Sequence, residues 1–220
     1  MITFNDQQKI QIQNLKPLTE SKFIYNSTKW FKLNADFKNL ITDFENREVS
    51  RQDVINAYKE YFSDNSKGFM KAFLLTMVWG FADTGYGTHR TNNYISNADN
   101  RDKIKNAIDF INKNEEDSLK NAFEKLKKIK GLGISYMTKI LYFATRAKNA
   151  DNYALIFDIR VAASLVKLTT PIEIFEIVNV NPSQKFTNYQ KFNSLIHKLA
   201  KDNQVDADQL EMYLFNPDFN

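Results

Sequence analysis

The sequence contains no cysteine among its 220 residues. That absence excludes a disulfide framework, a thiolate nucleophile and any zinc or iron-sulfur site with cysteine ligands. It also favours an intracellular protein. Histidine is scarce, with two residues, and no group of Asp, Glu and His stands at the spacing of metal ligands. We therefore expect no metal centre.

Long apolar runs are lacking as well. No stretch approaches the roughly 20 apolar residues that cross a bilayer, and the amino terminus, MITFNDQQKIQIQNL, does not have the basic-then-apolar order of a signal peptide. We expect a cytoplasmic, monomeric protein with no membrane partner, folded as one compact unit. Its net charge of +4 permits a polyanionic partner without requiring one.

Apolar residues recur at three- and four-residue spacing along most of the chain, as on one face of an amphipathic helix. This spacing predicts helices over 34–46, 100–112, 115–129, 159–168, 189–201 and 209–215. It also predicts one helix that follows an N-cap at Ser50 and one that starts at Ser66, and Asp206 is the predicted cap of the helix over 209–215. Alternating strand patterns are scarce, and the main candidate for extended chain is the segment 152–157, NYALIF. The predicted fold class is all-α.

Two of these segments carry more specific expectations. In 34–46 the residues on one helical face, which should be core, are Phe37, Leu40, Ile41 and Phe44. The strongly apolar 68–82, GFMKAFLLTMVWGFA, reads as a central buried helix. The glycine-rich 80–93, GFADTGYGTHRTNN, is predicted as an irregular loop between helices.

The segment 126–143, LKKIKGLGISYMTKILYF, places Gly131 and Gly133 between two helical patterns. A chain that reverses in so few residues visits positive backbone angles, and a glycine also leaves no Cβ in the way of a ligand. Backbone N–H groups at the start of the second helix would attract a phosphate. An ordinary helix connection with a glycine cap is the alternative, and the hairpin alone leaves both open.

A carboxylate follows this hairpin in the segment 154–165, ALIFDIRVAASL. Asp158 ends an apolar run and immediately precedes a helical pattern, as an N-cap does. A capping carboxylate lies in the positive field of its helix and tends to stay ionised, which suits a residue that stabilises a developing cation. The capping and catalytic interpretations are compatible.

Hairpin, second helix, loop and aspartate in this order resemble the helix-hairpin-helix (HhH-GPD) superfamily of DNA glycosylases. Together with Trp79-Gly80 and the segment 85–90, GYGTHR, they resemble most closely a bacterial group with the 8-oxoguanine DNA glycosylase fold. The resemblance covers 79–165 directly. It implies two packed helical subdomains with a cleft between them, a helix-hairpin-helix over 119–146, and a catalytic loop and helix over 153–168. It also implies a nucleoid-associated bacterial enzyme acting on a base flipped out of double-stranded DNA.

The resemblance assigns catalysis to Asp158, but one position departs from the pattern. Bifunctional members carry a nucleophilic lysine two residues after the second hairpin glycine, where this chain has Ser135. A serine cannot form the Schiff base that a lyase step needs. A monofunctional enzyme with water as nucleophile is the simplest prediction. Lys139, one helical turn later on the same face, keeps a lyase step open, although a surface or phosphate-contacting lysine is the favoured interpretation.

The resemblance also suggests two sets of binding residues. The predicted DNA-binding residues are Lys128, Lys130, Gly131, Leu132, Gly133, Ser135 and Arg160. The predicted base-pocket residues are Trp79, Tyr86, His89 and Arg90. Core packing is the alternative for Trp79 and Tyr86, and a surface loop without chemistry is the alternative for His89 and Arg90. Lys125 and Lys127 could add phosphate contacts, with a solvated helix face as the alternative. No cofactor is required, although the hairpin carbonyls could hold a monovalent cation, as in relatives of the superfamily.

Three functions remain open on the sequence alone. The first is a DNA glycosylase, acting in base-excision repair or in defence against modified phage DNA. The second is a DNA-binding helix-hairpin-helix protein without catalysis, which has no use for Asp158. The third is a helical structural protein with no nucleic-acid role. The excised base is not identified by the sequence, and an oxidised purine and a hypermodified cytosine both stay possible.

Overall fold

A computed structural model describes residues 2–64, 68–82, 85–170, 174 and 180–216. In these residues the α-helices are α1 Asp6–Asn14, α2 Pro17–Glu20, α3 Ala35–Asn39, α4 Arg51–Ser63, α5 Met70–Phe81, α6 Gly87–Ser96, α7 Ala98–Lys113, α8 Ser118–Lys127, α9 Ile134–Ala147, α10 Ile159–Lys167, α11 Phe186–Asp202 and α12 Ala207–Phe215. A 3-10 turn spans Thr42–Phe44, and two short strands, β1 Lys22–Ile24 and β2 Glu48–Ser50, pair antiparallel. The all-α fold class is confirmed.

The chain divides into two compact units. One unit, Leu18–Ala154, contains both strands and helices α3 to α9, and therefore the glycine hairpin. The other combines Met1–Pro17 with Leu155–Asn220 and contains α1, α10, α11 and α12, and therefore Asp158.

Helix α5 forms the centre of the larger unit, as its apolar sequence predicts. It packs against α4, α6 and α9, and the side chains of Phe73, Leu74 and Leu75 are fully buried. Burial on nearly every face explains why this helix lacks a polar stripe. The predicted start at Ser66 lies outside the described residues.

Helix α4 begins where the sequence predicts. The Ser50 hydroxyl accepts a hydrogen bond from the Asp53 N–H at 3.2 Å, and the Asp53 carboxylate accepts one from the Ser50 N–H at 2.9 Å. This reciprocal capping box satisfies two N–H groups that the first helical turn leaves without intrahelical partners. Helices α7, α8, α10, α11 and α12 also confirm the predicted periodic segments, with bounds shifted by a few residues.

The predicted helix over 34–46 is wrong. Helix α3 covers only Ala35–Asn39 and is followed by the 3-10 turn, and Leu40, expected in the core, is 41% exposed while Ile41 is fully buried. Ile41 has a φ of −127°, outside the helical region. Successive short turns reproduce the spacing of three and four residues, so periodicity alone did not separate them from one helix.

The predicted loop over 80–93 is also wrong in its second half, because α6 begins at Gly87. Thr88, Thr91, Tyr94 and Ile95 are buried at helical spacing, a pattern that the preceding glycines obscured. A Cβ on Gly87 would lie 2.7 Å from Phe81 Cβ and 3.0 Å from Trp30 Cη2. Gly87 therefore permits the close approach of α6 to the end of α5.

In the smaller unit, side chains hold the segment 155–157, which has no regular secondary structure and leads to Asp158. The Leu155 N–H donates to Asn193 Oδ1 at 2.7 Å, and the Leu155 carbonyl accepts from the Tyr189 hydroxyl at 2.9 Å. Both partners lie on α11, so side chains of this helix satisfy the backbone N–H and carbonyl of Leu155, as a neighbouring strand would in a sheet. Ser164 Oγ donates to the Leu214 carbonyl at 2.6 Å and joins α10 to α12. None of the described helices is long and apolar enough to span a bilayer.

Candidate functional site

The hairpin connects α8 to α9 through residues 128–133. Gly131 has a φ of 84°, in the left-handed region that favours glycine. Gly133 has a φ of −72° and a ψ of 165°, which any residue adopts, so a positive angle explains only one of the two glycines. The Leu132 side chain is buried and anchors the turn, so a role for Leu132 in DNA binding would rest on its backbone.

Gly133 is the N-cap residue of α9. No atom outside its chain neighbours lies within 4 Å of the position that a Cβ on Gly133 would take. The helix therefore begins beside open space, with no capping side chain over its first N–H groups. Lys128, Lys130 and Gly131 are exposed around this opening, and Ser135 in the first turn is half-buried.

A tyrosine that the sequence analysis did not single out holds the hairpin. The Tyr94 hydroxyl donates to the Gly131 carbonyl at 2.8 Å. Burial raises the pKa of Tyr94 above its ordinary value, while the nearby Arg90 guanidinium lowers it, and the phenol keeps its proton at neutral pH. Tyr94 therefore links α6 to the hairpin. The available signal was the spacing of Tyr94 from Thr91, which places both on the buried face of α6.

Lys139 is 6% exposed, so the interpretation of it as a surface lysine is wrong, while the alternative of a phosphate contact stays a prediction. Its Nζ lies 2.6 Å from Ser135 Oγ and 4.9 Å from the centre of the Tyr136 ring. A Cβ on Gly80 would lie 2.9 Å from Lys139 Cδ. The glycine after Trp79 thus makes the room in which the lysine lies, and the amine is held over the first turn of α9.

Trp79 is a core residue. Its Nε1–H donates to the Ser21 carbonyl at 3.0 Å, and its ring meets Phe143 edge-on at 5.2 Å and the Arg51 guanidinium at 5.0 Å. These contacts support the alternative of core packing, and we do not retain Trp79 as a base-pocket residue. Phe81 is likewise buried, stacked on Tyr136 at 4.1 Å between ring centres.

The other three predicted base-pocket residues lie on one exposed face of α6 or at its start. Tyr86 is 70% exposed, which rules out the alternative of core packing for this residue, and the Arg90 guanidinium lies 5.9 Å from the centre of its ring. His89 and Asn93, also exposed, approach within 3.0 Å between Nε2 and Nδ2. Helical spacing brings these side chains together. They form a solvent-facing surface that combines an aromatic ring, a cation and groups that hydrogen bond.

Asp158 is the N-cap residue of α10, as predicted. Its Oδ1 accepts from the Arg160 N–H at 3.1 Å, and its backbone is extended, with a φ of −87° and a ψ of 159°. The carboxylate is half-buried in the positive field of the helix N-terminus. Arg160 is exposed, and its guanidinium lies 5.0 Å from the centre of the Phe215 ring.

The lysines of α8 and the hairpin lie largely in solvent. Lys127, Lys128 and Lys130 are exposed and Lys125 is half-buried. Lys127 lies 4.0 Å from Glu124, and an exposed pair at that distance contributes little to stability. These cations are available to a polyanion. In the part of the chain that the structure describes, no cluster of three or more His, Asp and Glu residues could hold a metal ion.

The predicted residues thus fall into two groups, each inside one unit. The hairpin, Lys139 and the exposed face of α6 belong to the larger unit, and Asp158 and Arg160 belong to the smaller one. Chemically, the first group offers N–H donors and cations to phosphates, and the second offers a fixed carboxylate.

A family model described as "Putative 8-oxoguanine DNA glycosylase OGG-like protein" matches residues 16–215. The match includes the hairpin, α6 and Asp158, and it extends the resemblance seen over 79–165 to most of the chain. A search of curated proteins and a search of solved structures each find no match.

Proposed function

The chain belongs to the family of 8-oxoguanine DNA glycosylase OGG-like proteins, and from this premise we propose that it flips a damaged or modified base out of double-stranded DNA and cleaves the N-glycosidic bond. A base inside the duplex stack cannot reach an active site, so the target nucleotide must be extruded. The observation that carries the proposal is the carboxylate of Asp158, fixed at the first turn of α10 by the Arg160 N–H.

Asp158 supplies the electrostatic part of the reaction. Cleavage of the N-glycosidic bond builds positive charge on the deoxyribose, and a preorganised carboxylate lowers the energy of that transition state. The cap bond holds the carboxylate in one orientation before the substrate arrives, so little reorganisation is needed when charge develops. The base leaves with the electron pair of the N-glycosidic bond. Water, oriented by the same carboxylate, then adds to the sugar carbon, and the proton that it loses neutralises the departing base.

The hairpin supplies backbone binding. In the proposal a DNA phosphate approaches the open space beside Gly133 and accepts from the first N–H groups of α9, where the helix dipole favours an anion. The exposed Lys128 and Lys130 add attraction that falls with salt. Phosphate contacts carry no sequence information directly, which suits an enzyme that must search all DNA for rare bases.

We propose a monofunctional enzyme, because Ser135 occupies the position of the lyase nucleophile in bifunctional relatives and its hydroxyl cannot form an imine. The expected product is an intact strand with an abasic site, and borohydride should trap no covalent protein–DNA adduct. Gel analysis of wild type and Lys139→Ala after borohydride treatment checks this. Lys139 is the residue at issue because its amine lies 2.6 Å from Ser135 Oγ. An adduct that forms with wild type and Lys128→Ala but disappears in Lys139→Ala would make Lys139 the nucleophile.

The proposed substrates are an oxidised purine, as in base-excision repair, and a hypermodified cytosine, as in defence of a bacterium against modified phage DNA. We propose that the enzyme acts as a monomer in the bacterial cytoplasm, where both kinds of DNA are met. Base release, measured by mass spectrometry across damaged oligonucleotides and modified phage genomes, tests the proposal. Tight DNA binding without release of any base would favour the non-catalytic helix-hairpin-helix protein instead.

A further inference from the structure

A cleft in the unit Leu18–Ala154 lies apart from the hairpin. It opens to solvent between the chain around α3 and the helices α6 and α7, with a volume of about 670 Å³. Small-molecule sites have volumes of about 300–1,000 Å³, so the cleft is large enough for one nucleotide. The lining residues are Lys32, Asn34, Phe37, Asn92, Ser96 and Arg101.

The positive charge of the cleft favours an anionic ligand. Lys32 and Arg101 are its charged lining residues, and both are positive. Among the ion pairs of the described residues, none involves Lys32 or Arg101. Two cations facing one concave space without a carboxylate between them raise the local concentration of anions.

Arg101 is held in place before any ligand arrives. Its Nη1 donates to the carbonyls of Ile95 at 2.7 Å and Ser96 at 3.2 Å, at the end of α6. These bonds satisfy carbonyls that the helix end leaves without partners, and they use one nitrogen of a guanidinium that has further N–H donors. A head group fixed in this way suits a phosphate ligand, because little side-chain freedom is lost on binding.

The remaining lining residues suit a nucleobase. Phe37 is half-buried and contributes an aromatic ring to the cleft wall, on which a base can stack. Asn34 Oδ1 accepts from the Asp36 N–H at 2.8 Å, which orients its amide, and Asn92 adds a second carboxamide. Carboxamides pair with the hydrogen-bonding edges of bases.

We propose that this cleft binds one unpaired nucleotide of the DNA strand, with its phosphate at Lys32 and Arg101 and its base on the Phe37 ring. The inference rests on the proposed function, since extrusion of the target base breaks its base pair and leaves the opposite nucleotide unpaired. Helix α6 contributes Asn92 to the cleft and, through the Tyr94 hydroxyl, holds the Gly131 carbonyl of the hairpin. The cleft and the hairpin therefore share one supporting helix.

Binding of a fluorescent single-stranded oligodeoxythymidylate tests the cleft without any base excision. Phe37→Leu keeps an apolar side chain but removes the stacking face, and Lys32→Gln removes one cation. We expect each to weaken binding about tenfold at low salt. Lys32→Gln should also reduce the salt slope by about 0.7, the value for one phosphate contact on a single strand. The control, Lys59→Gln, makes the same charge change at an exposed site on α4 and should bind as wild type does.

Wild-type affinity in Lys32→Gln, or in a folded Phe37→Leu, would overturn the proposal. Lys32 is exposed, so its replacement is not expected to disturb the fold. If Phe37→Leu lowers the melting temperature, the binding of Lys32→Gln therefore still tests the proposal. The two proposals fail separately. A protein that binds single strands through the cleft but releases no base contradicts the glycosylase alone, whereas normal excision with unchanged binding in both variants contradicts the cleft alone.

Discussion

Asp158→Asn is expected to reduce single-turnover base excision by about a hundredfold or more, the size of effect seen when a comparable electrostatic group is removed from an active site. The amide cannot stabilise the positive charge that develops on the deoxyribose. It keeps the size of the carboxylate and can accept from the Arg160 N–H as Asp158 does. Asn and Asp are similar N-caps, so the free energy of unfolding should fall by no more than about 1 kcal/mol, and DNA affinity should survive.

Asp206→Asn provides the matched control. Asp206 is the N-cap residue of α12 in the same unit, exposed, with its N–H donating to Gln209 Oε1 at 3.0 Å. The same chemical change at a second helix start should leave excision at the wild-type rate. If Asp158→Asn also excises a confirmed substrate at that rate, Asp158 is only a cap and its catalytic assignment fails. Asp158→Glu, which keeps the charge, replaces the test if the Asn variant unfolds.

Gly133→Asn is expected to weaken DNA binding about tenfold or more while leaving the melting temperature unchanged or slightly higher. An asparagine at the N-cap of α9 would turn its side-chain oxygen onto the first N–H groups of the helix, the donors proposed for a DNA phosphate. Hydrogen bonds to charged groups contribute about 1.5–3 kcal/mol, so their loss has a measurable effect. The φ of −72° at Gly133 and the open space beside it allow the substitution without strain.

Titration of several duplex sequences over a range of salt checks this prediction. Affinity should fall alike for every sequence, because phosphate contacts carry no sequence information directly. The salt slope should change little, because the lost donors are neutral N–H groups and every lysine stays in place. Gly68→Asn is the control, since Gly68 also has open space around it and asparagine tolerates its φ of 70°. Full affinity for every duplex in Gly133→Asn would remove the hairpin from the DNA interface.

Much of the helical framework could be read from the sequence because its signals are local. The spacing of apolar residues over 100–112 predicts one face of α7, and Ser50, Asp158 and Asp206 start helices because each side chain acts within one turn of itself. The turn at Gly131 needs a positive φ for the same local reason. The order of hairpin and aspartate, together with the GYG segment, was enough to indicate the family.

Local signals failed where turns or tertiary packing determined the structure. The segment 34–46 carries helical spacing yet forms two short turns, and β1 and β2, with three residues each, are too short for an alternating pattern and depend on pairing with each other. The segment 80–93 looked irregular because glycines are prominent in it. One of them, Gly87, serves instead to let α6 approach Phe81 and Trp30, and that need arises only in the folded chain.

Only the tertiary structure determined which polar side chains are buried. Lys139 has the sequence context of a surface lysine, and it is buried because Gly80, 59 positions earlier, leaves room for its side chain. The cleft depends in the same way on Lys32 and Arg101, which no local pattern connects. Periodicity shows which side of a helix is apolar, but it does not show what packs against that side. The packing depends on contacts between segments that are distant in the sequence, and those contacts determine the burial of Lys139 and the charge of the cleft.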